Sequence, residues 1–143
     1  MGAAIAGATA QQNSALSDYG LALGEAFQLR DDLLGVFGDS STTGKPAGDD
    51  IREKKQTLLL AQALNAVENR DDLVRIMNKQ EIDASDISRA QELIQASGAV
   101  DAIESAISTL RDQALNALSE ADFTPLAREA LHELALMATA RNA

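Results

Sequence analysis

Between Val100 and Ala117 the apolar residues Val100, Ile103, Ile107, Leu110, Ala114 and Ala117 recur at steps of three and four. That is the period of one buried helical face. No stretch of the chain shows the alternation of a half-buried strand. Composition points the same way. Hydrophobic residues make up 45% but aromatics only 3%, and alanine and leucine dominate, whereas a sheet favours Val, Ile, Thr and aromatic side chains. The expected class is all-α, with helices packed antiparallel through short connections as a helical bundle. With 143 residues the chain fits one domain with a modest core.

Punctuation along the chain sets the expected elements. Residues 3–12 are Ala-rich and helix-compatible with no N-cap ahead of them, so the sequence is expected to begin inside an element. A second helix is expected from about Ser14 to Phe37, ending at Gly38. Residues 38–50 concentrate Gly, Ser, Thr, Pro and Asp and read as a loop. Asp50 is expected to cap the helix that follows, whose apolar side is Leu58, Leu59, Leu60, Ala63 and Leu64. A short helix fits residues 70–79, and Asp83 or Ser85 can start the next, which stops at Gly98. Thr124 followed by Pro125 is an N-cap and first-turn pair for a last helix running to about Arg141.

Several function classes drop out. The chain has no cysteine, which excludes disulfides, thiolate metal sites and a cysteine nucleophile. A net charge of −10 argues against nucleic acid or an anionic membrane surface as partner. No segment is apolar enough for a transmembrane span. The start lacks the basic region of a signal peptide and the Ser or Thr at position 6 of a myristoylation motif. A soluble, cytoplasmic protein is expected. Against the acidic background, Lys45, Arg52, Lys54 and Lys55 gather within eleven positions. They suit either a small anionic ligand or a solvated loop and helix start.

The chemistry concentrates in "FQLRDDLLGVFGD", residues 27–39. At about 100° per residue, Gln28, Asp31, Asp32 and Gly35 share a ~100° arc of one helix. Two adjacent carboxylates on a face otherwise apolar or small are costly to bury unpaired. A hard cation removes that cost, and Mg²⁺ is commonly held by one or two carboxylates while substrate phosphates fill other positions. The alternative is a solvated acidic pair interrupting an apolar run. Downstream, Lys45, Asp50 and Lys55 follow one another at intervals of five. Metal plus lysines is the composition a diphosphate group wants. Other phosphate and catalytic motifs fail: "TGKP" has Pro46 where a Walker loop needs Ser or Thr, and no G-x-S-x-G is present. His132, the only histidine, stands in the last helix without a recognisable partner.

The block "YGLALGEAFQLRDDLLGVFGD…TGKPAGDDIREKKQTLL" resembles the second aspartate-rich region of the trans-type isoprenyl diphosphate synthases, the polyprenyl synthetase family, in wording closest to geranylgeranyl-type enzymes. "GAAIAGA", "SGAVDAI" and "LHELALMATAR" extend the likeness over essentially the whole chain. The resemblance implies the C-terminal portion of the isoprenoid synthase fold over residues 1–143, with the second aspartate-rich motif at 28–39 and the N-terminal half absent. It implies a Mg²⁺-dependent transferase that condenses an allylic diphosphate with isopentenyl diphosphate, and a homo-oligomer. Carried over by residue, Asp31 is a Mg²⁺ ligand and Asp32 a ligand or its support. Gln28, Lys45 and Lys55 contact the allylic diphosphate or its metal shell, Asp50 orients that lysine network, and Phe27 lines the cavity. The family commonly has a third aspartate where this chain has Gly35, a glycine that lets another helix or a solvated metal come near. With half of the site absent, the chain alone is expected to be inactive. Two rivals differ in class. A non-catalytic helical partner or regulatory subunit of a full-length synthase would have lost the Asp and Lys residues that are retained here. A plain helical interaction module would carry "DDLLG" as solvated surface.

Overall fold

The computed structural model describes residues 2–38, 47–65 and 70–140, and these contain helices and no strand. They form α-helices at Gly2–Ile5, Ala10–Phe37, Asp49–Arg52, Leu58–Asn65, Arg70–Met77, Ala84–Ala96, Ala99–Ala117 and Pro125–Thr139, with a 3₁₀ turn at Leu118–Glu120. The all-α expectation holds. No helix among the described residues is long and apolar enough to cross a membrane.

Local sequence explains most of the boundaries. The long helix starts at Ala10 rather than Ser14, and the Ala-rich start is not continuous with it. Gly7 turns the chain with a left-handed φ of 79°. Thr9 and Gln12 then close a reciprocal box: the Gln12 amide donates to Thr9 Oγ1 at 3.2 Å and the Thr9 amide donates to Gln12 Oε1 at 2.9 Å. Asp83, one of two starts expected for its helix, caps Ala84–Ala96 in a box with Asp86. Thr124 Oγ1 accepts from the Ala127 amide at 3.3 Å with Pro125 behind it, as anticipated.

The expected cap at Asp50 is corrected. Asp50 lies inside the first turn of Asp49–Arg52, whose N-cap is Gly48 with a φ of 75° and no side-chain bond. The leucine-rich helix is a separate element started by Thr57, which accepts from the Leu60 amide at 3.2 Å. One helix was expected over this stretch because nothing local betrays the break: Lys54, in the left-handed region at φ 56°, ends the short helix.

The chain divides into two compact units, residues 1–28 with 106–141 and residues 29–105. In the first, Tyr19, Leu23, Ala114, Leu118 and Ala135 form a buried cluster, with Leu16, Leu115, Phe123 and Leu131 packed against it. The Tyr19 hydroxyl donates to the Leu131 carbonyl at 2.7 Å, so its polar end is satisfied. Arg128 donates to the carbonyls of Leu118 and Ala121, pinning the turn ahead of the last helix. In the second unit the core includes Leu29, Leu33, Val36, Ile51, Leu59, Leu73, Ile87, Leu93, Ile94 and Ile103. Arg30 enters this unit as a buried cation held two-pronged by Glu104, both bonds 2.8 Å. Gln91 Nε2 donates to the Val36 carbonyl at 2.6 Å, satisfying the last turn of the long helix.

Candidate functional site

The adjacent aspartates do not share an environment. Leu29, Leu33 and Val36 face the core of the second unit, and a 100° step per residue turns Asp32 toward that core while Asp31 points outward. Asp32 has a side chain only 8% exposed, and that of Asp31 is 60% exposed.

A buried carboxylate needs a partner, and Lys55 supplies it. Its Nζ lies 3.1 Å from Asp32 Oδ1, 3.1 Å from Asp50 Oδ2 and 3.9 Å from Asp31 Oδ2. Asp50, too, is buried. Backbone geometry sets the lysine: its amide donates to the Asp50 carbonyl at 2.9 Å, and the left-handed turn at Lys54 swings the two lysine side chains apart. Lys54 donates instead to the Lys79 carbonyl, and Arg52 pairs at 3.5 Å with Asp49. Of the described members of the basic cluster, Arg52, Lys54 and Lys55, it is therefore Lys55 that is brought to the carboxylates. Burial works to lower the Lys55 pKa, but the hydrogen bonds to Asp32 and Asp50, with their charges, outweigh it and hold the ammonium above its ordinary value.

Asp50 reaches this position along the long helix itself. A Cβ placed on Gly35 would lie 2.7 Å from Asp50 Oδ1 and nearer still to its Cγ and Oδ2. The glycine thus admits a neighbouring helix.

Three carboxylates around one ammonium leave a local charge of minus two, and every acidic donor is a hard oxygen. That donor set suits Mg²⁺ or Ca²⁺ and not a softer metal. Among the described residues no group of three acidic or histidine side chains is arranged to hold a metal by itself. A site completed by substrate phosphates does not need one. Asp31 is the exposed oxygen donor, while Asp32 and Asp50 are committed to Lys55.

The remaining sequence candidates fall elsewhere. Lys45 lies outside the described residues. Phe27 and Gln28 belong to the first unit, and both are exposed. His132 is exposed on the last helix. Sequence reading missed the Arg30–Glu104 pair that secures the aspartate helix. An arginine immediately before two aspartates in an apolar run was the available signal.

The polyprenyl synthetase family model matches residues 1–94. The chain is 36% identical over 139 residues to the short chain isoprenyl diphosphate synthase of Methanothermobacter thermautotrophicus, covering 94% of this chain and 41% of that protein. It is 37% identical over 122 residues to the geranylgeranyl diphosphate synthase of Mycobacterium tuberculosis, covering 78% and 35%. Among solved structures, the geranylgeranyl pyrophosphate synthase of Corynebacterium glutamicum complexed with isoprenyl diphosphate and magnesium superposes with a TM-score of 0.92 at 44% identity. That match covers 99% of this chain and 41% of the other. The polyprenyl synthase of Caulobacter crescentus complexed with calcium and isoprenyl diphosphate gives 0.85 at 42% identity, covering 99% and 44%. The chain thus spans about two fifths of the length of such relatives.

Proposed function

Because the chain belongs to the polyprenyl synthetase family, we propose that it carries one half of the metal–diphosphate site of an isoprenyl diphosphate synthase. The reaction is condensation of an allylic diphosphate with isopentenyl diphosphate. The observation that carries this reading is the Lys55 cluster: one ammonium gripped by two buried carboxylates, with Asp31 exposed beside it.

Asp31 is the residue that would hold Mg²⁺, and Asp32 would support it through Lys55. A bound divalent ion supplies positive charge to the departing diphosphate. Lys55, locked by Asp32 and Asp50, presents a fixed ammonium whose orientation costs nothing when charge develops on the leaving group. Lys45 and Gln28 are assigned to the diphosphate and Phe27 to the cavity wall. The enzyme is cytoplasmic and a homo-oligomer, and the 143-residue chain by itself is inactive.

Isothermal titration with MgCl₂ and inorganic diphosphate tests the site. Diphosphate should bind only when Mg²⁺ is present, and Asp31→Ala should abolish the heat. Absence of any Mg²⁺-dependent binding by the unaltered chain would mean that these carboxylates and Lys55 are a purely structural ion-pair cluster.

A further inference from the structure

The long helix contains three glycines, and among the described residues only one of them has a tertiary neighbour where a side chain would go. A Cβ added to Gly20 or Gly24 would meet nothing within 4 Å. At Gly35 it would run into the Asp50 carboxylate, closer than carbon and oxygen can pack. Gly35 sits within the helix Ala10–Phe37 and is not among the residues of positive φ, so backbone conformation does not call for glycine. The empty side-chain position is what the structure uses.

The carboxylate cannot step aside freely. Asp50 and its neighbour Ile51 are both buried. At the N-cap of the same short helix, a Cβ on Gly48 would collide with Ile87 Cγ2. Asp49–Arg52 is thus held by close packing at its N-cap as well as at Asp50. The Asp50 oxygen nearest the Gly35 position, Oδ2, is the one that binds Lys55 Nζ at 3.1 Å. A methyl group at position 35 must push away the atom that holds the lysine.

We propose that Gly35 is a positioning residue: its missing side chain forms the seat of the Asp50 carboxylate, so that positions 35 and 50 together deliver one carboxylate to Lys55. The consequence for ligand binding rests on the diphosphate-site reading above. The steric seat stands apart from it.

Two readouts on the 143-residue chain separate these. In thermal melts, Gly35→Ala should lower the melting temperature, although alanine is the better helix former. In an Asp50→Ala background, where the seat is empty, the same substitution should raise it. If Gly35→Ala is too unstable to melt cooperatively, Asp50→Ala must restore a folded chain. A higher melting temperature for Gly35→Ala alone, or no sign reversal or rescue in the Asp50→Ala background, overturns the seat. In calorimetry with MgCl₂ and inorganic diphosphate, Gly35→Ala should weaken binding about tenfold or more, and Gly35→Asp combined with Asp50→Ala should bind more tightly than either single variant. That rescue is one a purely structural glycine would not produce, and its absence refutes the shared carboxylate. If the unaltered chain binds no diphosphate, the functional reading fails while the melts still decide the seat.

Discussion

Replacing Lys55 by methionine keeps most of the side-chain length and removes the charge. Asp32 and Asp50, with side chains 8% and 11% exposed, then face each other with no cation between them. Breaking a fully buried pair costs roughly 3–5 kcal/mol. Lys55 is 38% exposed, so water and salt screen part of that, and exposed pairs contribute about 0–1 kcal/mol. Between those limits we expect a loss of about 2 kcal/mol, or roughly 6 °C in melting temperature for a chain of this size. The assay is a circular-dichroism melt at pH 7 and low salt, repeated with millimolar MgCl₂. The metal should stabilise Lys55→Met more than the unaltered chain, because three carboxylates without their ammonium attract a divalent ion more strongly. The pH dependence has a definite sign. A lysine pKa raised on folding contributes stability that is complete below the unfolded value, about 10.4, and is lost as pH climbs through the higher folded value. The difference between the two proteins should therefore be flat from neutral pH to about pH 9.5 and shrink above about pH 10.4. A shift below about 1 °C at pH 7, or a difference that already fades by pH 8, would refute the idea that Lys55 holds the carboxylates together.

In a full-length synthase containing this segment, Asp31→Ala should cut turnover by about 10²–10³-fold with little change in melting temperature, since its side chain is exposed. Asp32→Ala should instead cost stability, and steady-state kinetics paired with melts would separate the two. The purified 143-residue chain should incorporate no radiolabelled isopentenyl diphosphate into product, and any incorporation would mean that these residues suffice for the reaction. Arg30→Met, which leaves Glu104 without its two-pronged partner, should destabilise by about 3 kcal/mol in urea unfolding; a loss under about 1 kcal/mol would show that water readily replaces the guanidinium. Leu21, Phe27, Leu126 and Met137 are all more than half exposed, so light scattering should find self-association, and a monodisperse monomer would contradict that.

Periodicity alone was enough for the helical class and for most helices. The Val100–Ala117 stripe and the Thr124–Pro125 start depend only on residues within a turn or two of each other, and appear where the sequence places them. The capping box at Thr9 and Gln12 was equally local, though it took the structure to draw attention to it. The residue types of the candidate site were also legible, because adjacent aspartates in an apolar helix and a downstream acid and lysine are unusual company. Their geometry was not. Which aspartate is buried follows from the face that Leu29, Leu33 and Val36 present to the core. Asp50, read locally as a cap and through the family resemblance as a partner of the lysines, meets Lys55 because Lys54 adopts a left-handed turn and Gly35 leaves space fifteen residues away in sequence. Local propensity is silent on such contacts. They arise when two helices pack, and the free energy that selects them belongs to neither helix alone.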